Sequence, residues 1–334
     1  MKAILVKKPG GVEQLMLGEY PLPEVKEDEL LVRVKATALN RADILQRQGK
    51  YPPPPGASPL LGLEMAGVVE KVGARCSGWK VGDRVCALLP GGGYAQYCAV
   101  PAKMAIPIPE NLSFEDAAAI PEVFLTAYQT LYWLGGLSQG QYVLIHAGAS
   151  GVGTAAIQLV KYAGAVPIVT AGSAKKLDFC LQLGAKVAIN YKDGEFAAHV
   201  IKATERKGVQ LILDCIGAAF WEQNIACLAF DGKMILIAAM GGSVVENVSL
   251  RKILLKRLQI IGSTLRARSM EYKVRLTQSF VQKVLPGFED GSLRPVIDSV
   301  FDWREVAKAH QRMEANLNVG KIILRVSESN DGLP

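Results

Sequence analysis

What this sequence lacks removes several classes of protein at once. The N-terminal stretch Met1-Lys-Ala-Ile-Leu-Val-Lys-Lys8 holds too short an apolar run for a signal peptide or a membrane span. The six cysteines (Cys76, Cys86, Cys98, Cys180, Cys215 and Cys227) are scattered without a CxxC pair, which argues against a disulfide framework and suits reduced thiols. Only 3 histidines occur, His146, His199 and His310, and they show no ligand spacing. His146 ends an apolar run and reads as a satisfied core histidine. The net charge of +7 is mildly basic, yet the basic residues form no concentrated block and lack interleaved aromatics. Neither nucleic acid nor membrane is therefore expected as a partner, and phosphorylated ligands suit the charge better. There is no internal repeat and no low-complexity tract. From these absences a cytoplasmic protein is expected.

What is present is a chain of 334 residues, longer than one hydrophobic core usually supports, so two domains are expected. The first part consists of short β-branched or apolar runs bounded by Gly and Pro: Lys2–Lys7, Gln14–Leu17, Glu29–Ala38, Gly67–Val72 and Asp83–Leu88. Tyr51-Pro-Pro-Pro-Pro-Gly56 suits neither helix nor central strand and is expected as an ordered loop. This is an antiparallel, barrel-like beginning. After Phe114 strands alternate with helices: Tyr142–Ala147 then Gly151–Ala163, Val166–Thr170 then Ala174–Leu183, Val187–Asn190 then a helix to Lys202 or so. Further strands are expected at Gln210–Ile216, Lys233–Ala239 and Leu258–Gly262. Such alternation implies βαβ units and a parallel sheet. From Arg266 the pattern turns to helix and mixed strand, so the parallel-sheet domain reads as an insertion. The expected division is 1–121 with 265–334, and 122–264, with Ser327–Pro334 a frayed tail. Leu250-Arg-Lys-Ile-Leu-Leu-Lys-Arg-Leu-Gln259 is expected as an amphipathic helix with a solvated basic face. Asp43 and Arg47 stand at helical spacing and are expected to pair.

The most informative segment is Tyr142-Val-Leu-Ile-His-Ala-Gly-Ala-Ser-Gly-Val-Gly-Thr154. An apolar strand runs into Gly148, Gly151 and Gly153 and then directly into a helix. Such a turn brings backbone N–H groups against a pyrophosphate at the positive end of the helix. The match to GxGxxG is imperfect, because Ser150 stands where the middle glycine belongs. The strand–turn–helix context restores the signal. Gly148, Ser150, Gly151, Val152 and Gly153 are the expected phosphate-binding residues. A site selective for NAD would carry an acid roughly 20 residues further on. Here Val166–Thr170 leads into Ala171-Gly-Ser-Ala-Lys-Lys176 with none. Ser173 and Lys176 suit a ribose 2′-phosphate, or else form a solvated first turn of the next helix. Lysines there oppose the helix dipole, which favours a bound anion. NADPH is the expected cofactor.

Three further stretches carry a resemblance. Ala38-Leu-Asn-Arg-Ala-Asp-Ile-Leu-Gln-Arg-Gln-Gly-Lys-Tyr51 is similar to the N-terminal signature of quinone oxidoreductases. Gly62-Leu-Glu-Met-Ala-Gly67-Val resembles the GxExxGxV element of medium-chain dehydrogenases. Asp116-Ala-Ala-Ala-Ile-Pro121 followed by Leu125-Thr-Ala-Tyr128 resembles their approach to the cofactor domain. Order and spacing span essentially the whole chain, which thus resembles a zinc-free quinone oxidoreductase of the medium-chain dehydrogenase/reductase superfamily. The resemblance implies an α/β protein with a GroES-like β-barrel substrate domain and a Rossmann, doubly wound parallel-sheet cofactor domain. It also implies NADPH use and a homodimer joined through the cofactor domains. It puts Asn40, Tyr51 and Thr126 near the nicotinamide. Tyr191, Ala239, Met240, Gly241, Thr264, Leu265, Arg266 and Asn318 are further cofactor contacts that it implies.

Zinc-dependent members of that superfamily bind the metal through a cysteine near the position of Asn40 and a histidine where this chain has Leu63. Neither an amide nor an alkyl group suits zinc there, and the cysteine-rich structural lobe is also missing, so no metal is expected. Without a Lewis acid a simple carbonyl is a poor substrate, because charge builds on one oxygen. A quinone spreads that charge, and positioning then supplies most of the catalysis. The expected activity is reduction of a quinone substrate by NADPH, by hydride or electron transfer. The alternatives are an enoyl-thioester or enone reductase and a non-enzymatic, crystallin-like NADPH-binding protein. Tyr51 would stack on the acceptor, bond its oxygen, or only anchor the proline loop. Thr126 would bond the carboxamide or be an ordinary helix-face hydroxyl. Cys215, beside Asp214, reads as a small buried packer and not a nucleophile.

Overall fold

The computed structural model describes residues Met1–Ser327. The chain forms two units, one made of Met1–Leu125 and the chain from Arg266 onward, the other of Thr126–Leu265. The first opens with β1 (Lys2–Val6) and β2 (Leu15–Glu19), paired antiparallel. β3 (Glu29–Ala38) alternates buried and half-buried side chains over most of its length, the period of a half-covered strand. After α1 (Arg41–Arg47) and the proline loop come β4 (Glu64–Val72), β5 (Arg84–Leu88), β6 (Tyr97–Pro101) and β7 (Ala105–Pro107). β3 and β4 pair antiparallel with irregularities near Leu31 and Val34, which bend the strands as a barrel needs. Gly67 permits the close approach there, since a Cβ on it would lie 2.1 Å from the Arg33 carbonyl oxygen. α2 (Phe114–Ala118) and α3 (Pro121–Tyr128) follow.

The second unit carries β8 (Tyr142–Ile145), α4 (Gly151–Tyr162), β9 (Val166–Ala171), α5 (Ala174–Leu183), β10 (Val187–Asn190) and α6 (Phe196–Ala203). It continues with β11 (Val209–Asp214), α7 (Trp221–Cys227), β12 (Leu228–Leu236), α8 (Leu250–Lys256) and β13 (Gln259–Gly262). These strands form a six-stranded parallel sheet in the order β10-β9-β8-β11-β12-β13. The direction of winding reverses between β8 and β11, which makes the sheet doubly wound in the Rossmann manner. Its core is set by Leu144, Ile168, Ile189, Ile212 and Met234 from the strands, packed on Phe196, Val200 and Ile225 from the helices.

The chain then returns to the first unit through α9 (Met270–Lys283), α10 (Leu285–Glu289), β14 (Ile297–Asp302), α11 (Val306–Glu314) and β15 (Lys321–Arg325). β15 pairs antiparallel with β3 and parallel with β14, closing the sheet order β14-β15-β3-β4-β5-β7, with β6 also on β3. The fold is thus a GroES-like barrel unit and a Rossmann unit. No helix among the described residues is long and apolar enough to cross a membrane.

Three local expectations need correction. Asp43 and Arg47 do not pair. Asp43 accepts from the N–H groups of Asn40 (2.8 Å) and Gly62 (2.9 Å), capping α1, while the buried Arg47 pairs with Glu314 and contacts His310 Nδ1. α8 keeps Arg251 and Lys252 exposed as expected but turns Lys256 inward. Lys252 bonds Glu222 and Lys256 donates to the carbonyls of Ile225, Ala226 and Leu228, satisfying the open C-terminal end of α7. Leu250, Leu254 and Leu255 are exposed as well, so the helix does not divide into a solvated basic face and a buried apolar one. Finally, Ser327 is not frayed: its hydroxyl donates to Asp302 at 2.7 Å. The rest of the expected tail, 328–334, lies outside the described residues.

Candidate active site

In the Rossmann unit the expected cofactor residues cluster beyond the carboxyl ends of the strands. Ser150 caps α4, its hydroxyl accepting from the Gly153 N–H at 3.0 Å. Among the described residues the N–H groups of Gly151 and Val152 have no acceptor, and they stand at the helix start, where an anion is favoured. Gly153 is obligatory for the turn, because a Cβ there would sit 2.3 Å from the Ala147 carbonyl oxygen. Gly148 is likewise confined, with a Cβ 2.7 Å from that of Val169. Ser150 thus does the work expected of a middle glycine in a different way, by holding the turn with its side chain.

The turn after β9 brings Ser173 and Tyr191 to one place. Ser173 starts α5 without a side-chain cap bond and is exposed. Tyr191, after β10, lies over Gly172 so closely that a Cβ there would meet its hydroxyl at 2.6 Å. Lys176 is half-buried one turn into α5, and its charge opposes the burial that pushes the Cys180 thiol up to about 11. Ala239, Met240 and Gly241 follow β12 and are tied to the loop after β11: Met240 N–H donates to Cys215 O (3.1 Å) and Gly241 N–H to Ile216 O (2.7 Å). Thr264 and the buried Leu265 follow β13. Thr126, on α3, is half-buried, and its carbonyl accepts from Thr130. His146 is a core histidine, its ring nitrogens at 2.9 Å from Thr170 Oγ1 and 2.7 Å from Asn224 Oδ1. Cys215 is buried, and desolvation pushes its thiol up to about 12, which keeps it an inert thiol.

The remaining candidates lie in the barrel unit. Asn40 caps α1 and both ends of its amide are committed: Nδ2 donates to Glu64 Oε1 (2.9 Å), and Oδ1 accepts from Lys321 Nζ (2.7 Å). Lys321 also donates to Leu39 O (2.6 Å) and pairs with Glu64 Oε1 at 2.8 Å. The other Glu64 oxygen accepts from the Glu122 N–H at 2.8 Å. Every member of this buried network has partners, which is the condition under which a buried ion pair is tolerable. At the positions where the resemblance put zinc ligands the chain therefore has an amide locked to an ammonium, and Leu63, which is buried and apolar. That donor set does not fit zinc. Asn318 is used locally, closing a turn by donating to Gly320 O at 2.8 Å.

Tyr51, half-buried in the proline loop, lies under the Arg266 guanidinium, whose carbon is 5.2 Å from the ring centroid. Arg266 donates to Pro90 O from Nε (2.9 Å) and Nη2 (2.7 Å), and to Gln46 Oε1 from Nη2 (2.7 Å). Its side chain is thus directed into the barrel unit. Glu122 stands nearby: burial, reinforced by the charges of Glu64 and Asp43, pushes its carboxyl up to about 8 against the pull of Lys321 and Arg266. Burial also raises the Tyr51 hydroxyl, with Arg266 opposing. Sequence reasoning missed Lys321, Glu122 and the direction of Arg266. The Glu64 of the GxExxGxV element was visible, but its partners come from distant segments with no local signal.

A family model described as alcohol dehydrogenase GroES-like domain matches residues 26–110, and one described as zinc-binding dehydrogenase matches residues 151–280. The human quinone oxidoreductase is 31% identical over 97% of this chain and 97% of its own length. The mouse synaptic vesicle membrane protein VAT-1 homolog-like is 30% identical over 98% of this chain and 82% of its own. Among solved structures, an NAD-dependent alcohol dehydrogenase superposes with TM-score 0.86 at 33% identity, covering 98% of this chain and 100% of that one. A mycobacterial protein complexed with NADPH gives 0.85 at 28%, covering 98% and 100%. The CurK enoyl reductase gives 0.85 at 27%, covering 98% and 99%. Barrel, Rossmann sheet and full-length likeness agree, and the chain belongs to the medium-chain dehydrogenase/reductase superfamily of oxidoreductases, with quinone oxidoreductases among its relatives.

Proposed function

We propose that this chain is an NADPH-dependent quinone reductase that works without zinc. The observation that carries the reading is that Asn40, where the resemblance expects a zinc ligand, has its amide committed to Lys321 and Glu64. A site lacking a Lewis acid selects acceptors that spread charge over a conjugated ring. The cofactor fits the residues present: free N–H groups at Gly151 and Val152 for the pyrophosphate, and Ser173, Lys176 and Tyr191 around an acid-free turn for the 2′-phosphate. The Thr126 hydroxyl would hold the carboxamide. The segments Ala239-Met240-Gly241 and Thr264-Leu265, with Asn318, would complete the contacts. Bound NADPH would supply the hydride. Within the barrel unit Tyr51 offers a flat surface for the acceptor, and the Asn40 network holds the surrounding backbone rigid. All six cysteines are free, which suits a reducing cytoplasm.

A second reading is reduction of an enoyl thioester, favoured by the likeness to the CurK enoyl reductase. Against it, three of the four cations of this run, Lys252, Lys256 and Arg257, are already engaged with Glu222, carbonyls of α7 and Asp231, which leaves Arg251 for a coenzyme A phosphate. The deciding experiment is NADPH oxidation by the purified protein with ortho-quinones and with crotonyl-coenzyme A, together with spin detection of semiquinone. Quinone turnover should exceed thioester turnover by at least about a hundredfold in kcat/KM, the equivalent of roughly 2.7 kcal/mol. Faster reduction of crotonyl-coenzyme A would replace the quinone reading with the thioester one.

A further inference from the structure

We propose that Arg266 takes the acceptor oxygen on which negative charge collects during reduction, using the buried Nη1 that no protein group satisfies, with the Tyr51 ring beside it as the platform. This rests on the reading of the chain as a reductase of conjugated carbonyl compounds.

Arg266 is 8% exposed, and its Nη1 is buried without a hydrogen-bond partner. Its other nitrogens are anchored on Pro90 and Gln46, as described above, and both of those acceptors are neutral. No carboxylate among the described residues lies within ion-pair distance of it. A charged donor left unsatisfied in a buried position is costly, and such groups persist where a ligand completes them. Among the described residues the other buried side-chain atom in this state is Trp303 Nε1, a neutral indole. Of the carboxyls that act on it, Asp43 is held by the N–H groups of Asn40 and Gly62, and Glu122, pushed up to about 8 by burial, acts less. The guanidinium is therefore positive and fixed by two anchors, with its buried Nη1 uncommitted among the described residues. That is the form of a preorganised oxyanion donor.

The chemistry identifies the ligand class. Hydride transfer delivers two electrons and one hydrogen to the acceptor and leaves a negative charge on oxygen. For a quinone this is the hydroquinone monoanion, and for an enone it is the enolate. One proton then completes the hydroquinone or the saturated ketone. An arginine that cannot give up its proton stabilises the anion without quenching it. Arg266 thus prefers planar acceptors whose reduced form is an oxyanion conjugated to a ring or double bond.

The probe is para-nitrophenol, a planar compound that is not reduced and whose anion absorbs in the visible. In the full-length wild-type protein without cofactor, the bound probe should ionise at lower pH than free probe. A bound probe that ionises at the free value or higher overturns the proposal with no variant needed. Arg266→Gln should weaken binding of the nitrophenolate by about tenfold or more, as loss of a hydrogen bond to a charged group predicts. It should also lower kcat for an ortho-quinone, while NADPH affinity and melting temperature stay near wild type. Added guanidinium ion should partly restore both losses in Arg266→Ala, an effect that a merely structural role would not give. Undiminished probe binding and turnover in Arg266→Gln would also overturn it. A protein that reduces no quinone yet shows both probe effects keeps the oxyanion site and loses only the quinone reading. Quinone reduction with neither probe effect removes Arg266 alone.

Discussion

Glu122 is a carboxyl with charged neighbours and no hydrogen-bonded partner of its own, while its backbone N–H serves Glu64. From its ordinary value of 4.5 it is pushed up to about 8, so across that interval the folded chain holds a proton that the unfolded chain has released. Stability therefore falls as pH rises from the unfolded value through the folded one, and is flat above it. Glu122→Gln removes this dependence. The variant should match wild type near pH 5 and exceed it above pH 8 by about 1.4 kcal/mol or more, the worth of one pKa unit. Thermal melts of both proteins over pH 5–9 measure this, and parallel curves would mean that Glu122 ionises normally. Such residues are hard to see in a sequence. Asn40 and Tyr51 sit in a segment whose order of residue types carries a resemblance, but Glu122, Lys321 and Arg266 act through partners that only the fold supplies. Asp43 and Arg47 show the converse: helical spacing suggested a pair, and capping of α1 and the needs of Glu314 took them apart.

At the scale of elements, the strand–glycine–helix run from β8 into α4 was legible because its geometry demands glycine at specific points, Gly148 and Gly153 among them. The alternation of strands and helices was legible because parallel strands buried on both faces read as unbroken apolar runs. α8 was misread. A run of mixed leucine and lysine reads as amphipathic, but Lys256 turns in to the carbonyls that end α7 while the leucines stay exposed beside Arg251 and Lys252. The turn from β9 into α5 gives the functional prediction at this scale. Lys176→Ala should weaken NADPH binding by roughly tenfold, the low end for a charged hydrogen bond at a partly solvated phosphate. NADH has no 2′-phosphate, so its affinity should hardly change, and the NADPH advantage should shrink with added salt. Nicotinamide fluorescence titrations with both cofactors at two ionic strengths measure this. Equal losses for the two would assign Lys176 to support of α5 and remove the turn from the phosphate site.

On the scale of the whole molecule, the Rossmann unit leaves apolar surface that a lone chain gains nothing by exposing. Leu250, Leu254 and Leu255 of α8 are 73%, 75% and 59% exposed, and Val244 ahead of it is 77% exposed. β13, which follows α8, is an edge strand of the sheet and among the described residues pairs only with β12. An edge strand and an apolar patch on one unit invite a second copy, since the same surface on a partner can be self-complementary about a two-fold axis. A homodimer through the cofactor units, which the resemblance implies, would use this surface. Each leucine buried on association is worth about 1.5–3 kcal/mol before the entropic cost of docking. Replacing two of them, Leu250→Glu with Leu254→Glu, adds like charges to the loss of apolar area and should weaken dimerisation by at least about a hundredfold. The substituted side chains already face solvent, so the fold of each chain, read by circular dichroism and NADPH binding, should persist. Sedimentation velocity on wild type and double variant over a range of micromolar concentrations separates the outcomes. A wild-type dimer that becomes a folded, NADPH-binding monomer supports the interface. A dimer indifferent to both substitutions must associate through another surface, and a wild type that sediments as a monomer throughout overturns the homodimer that the resemblance implies.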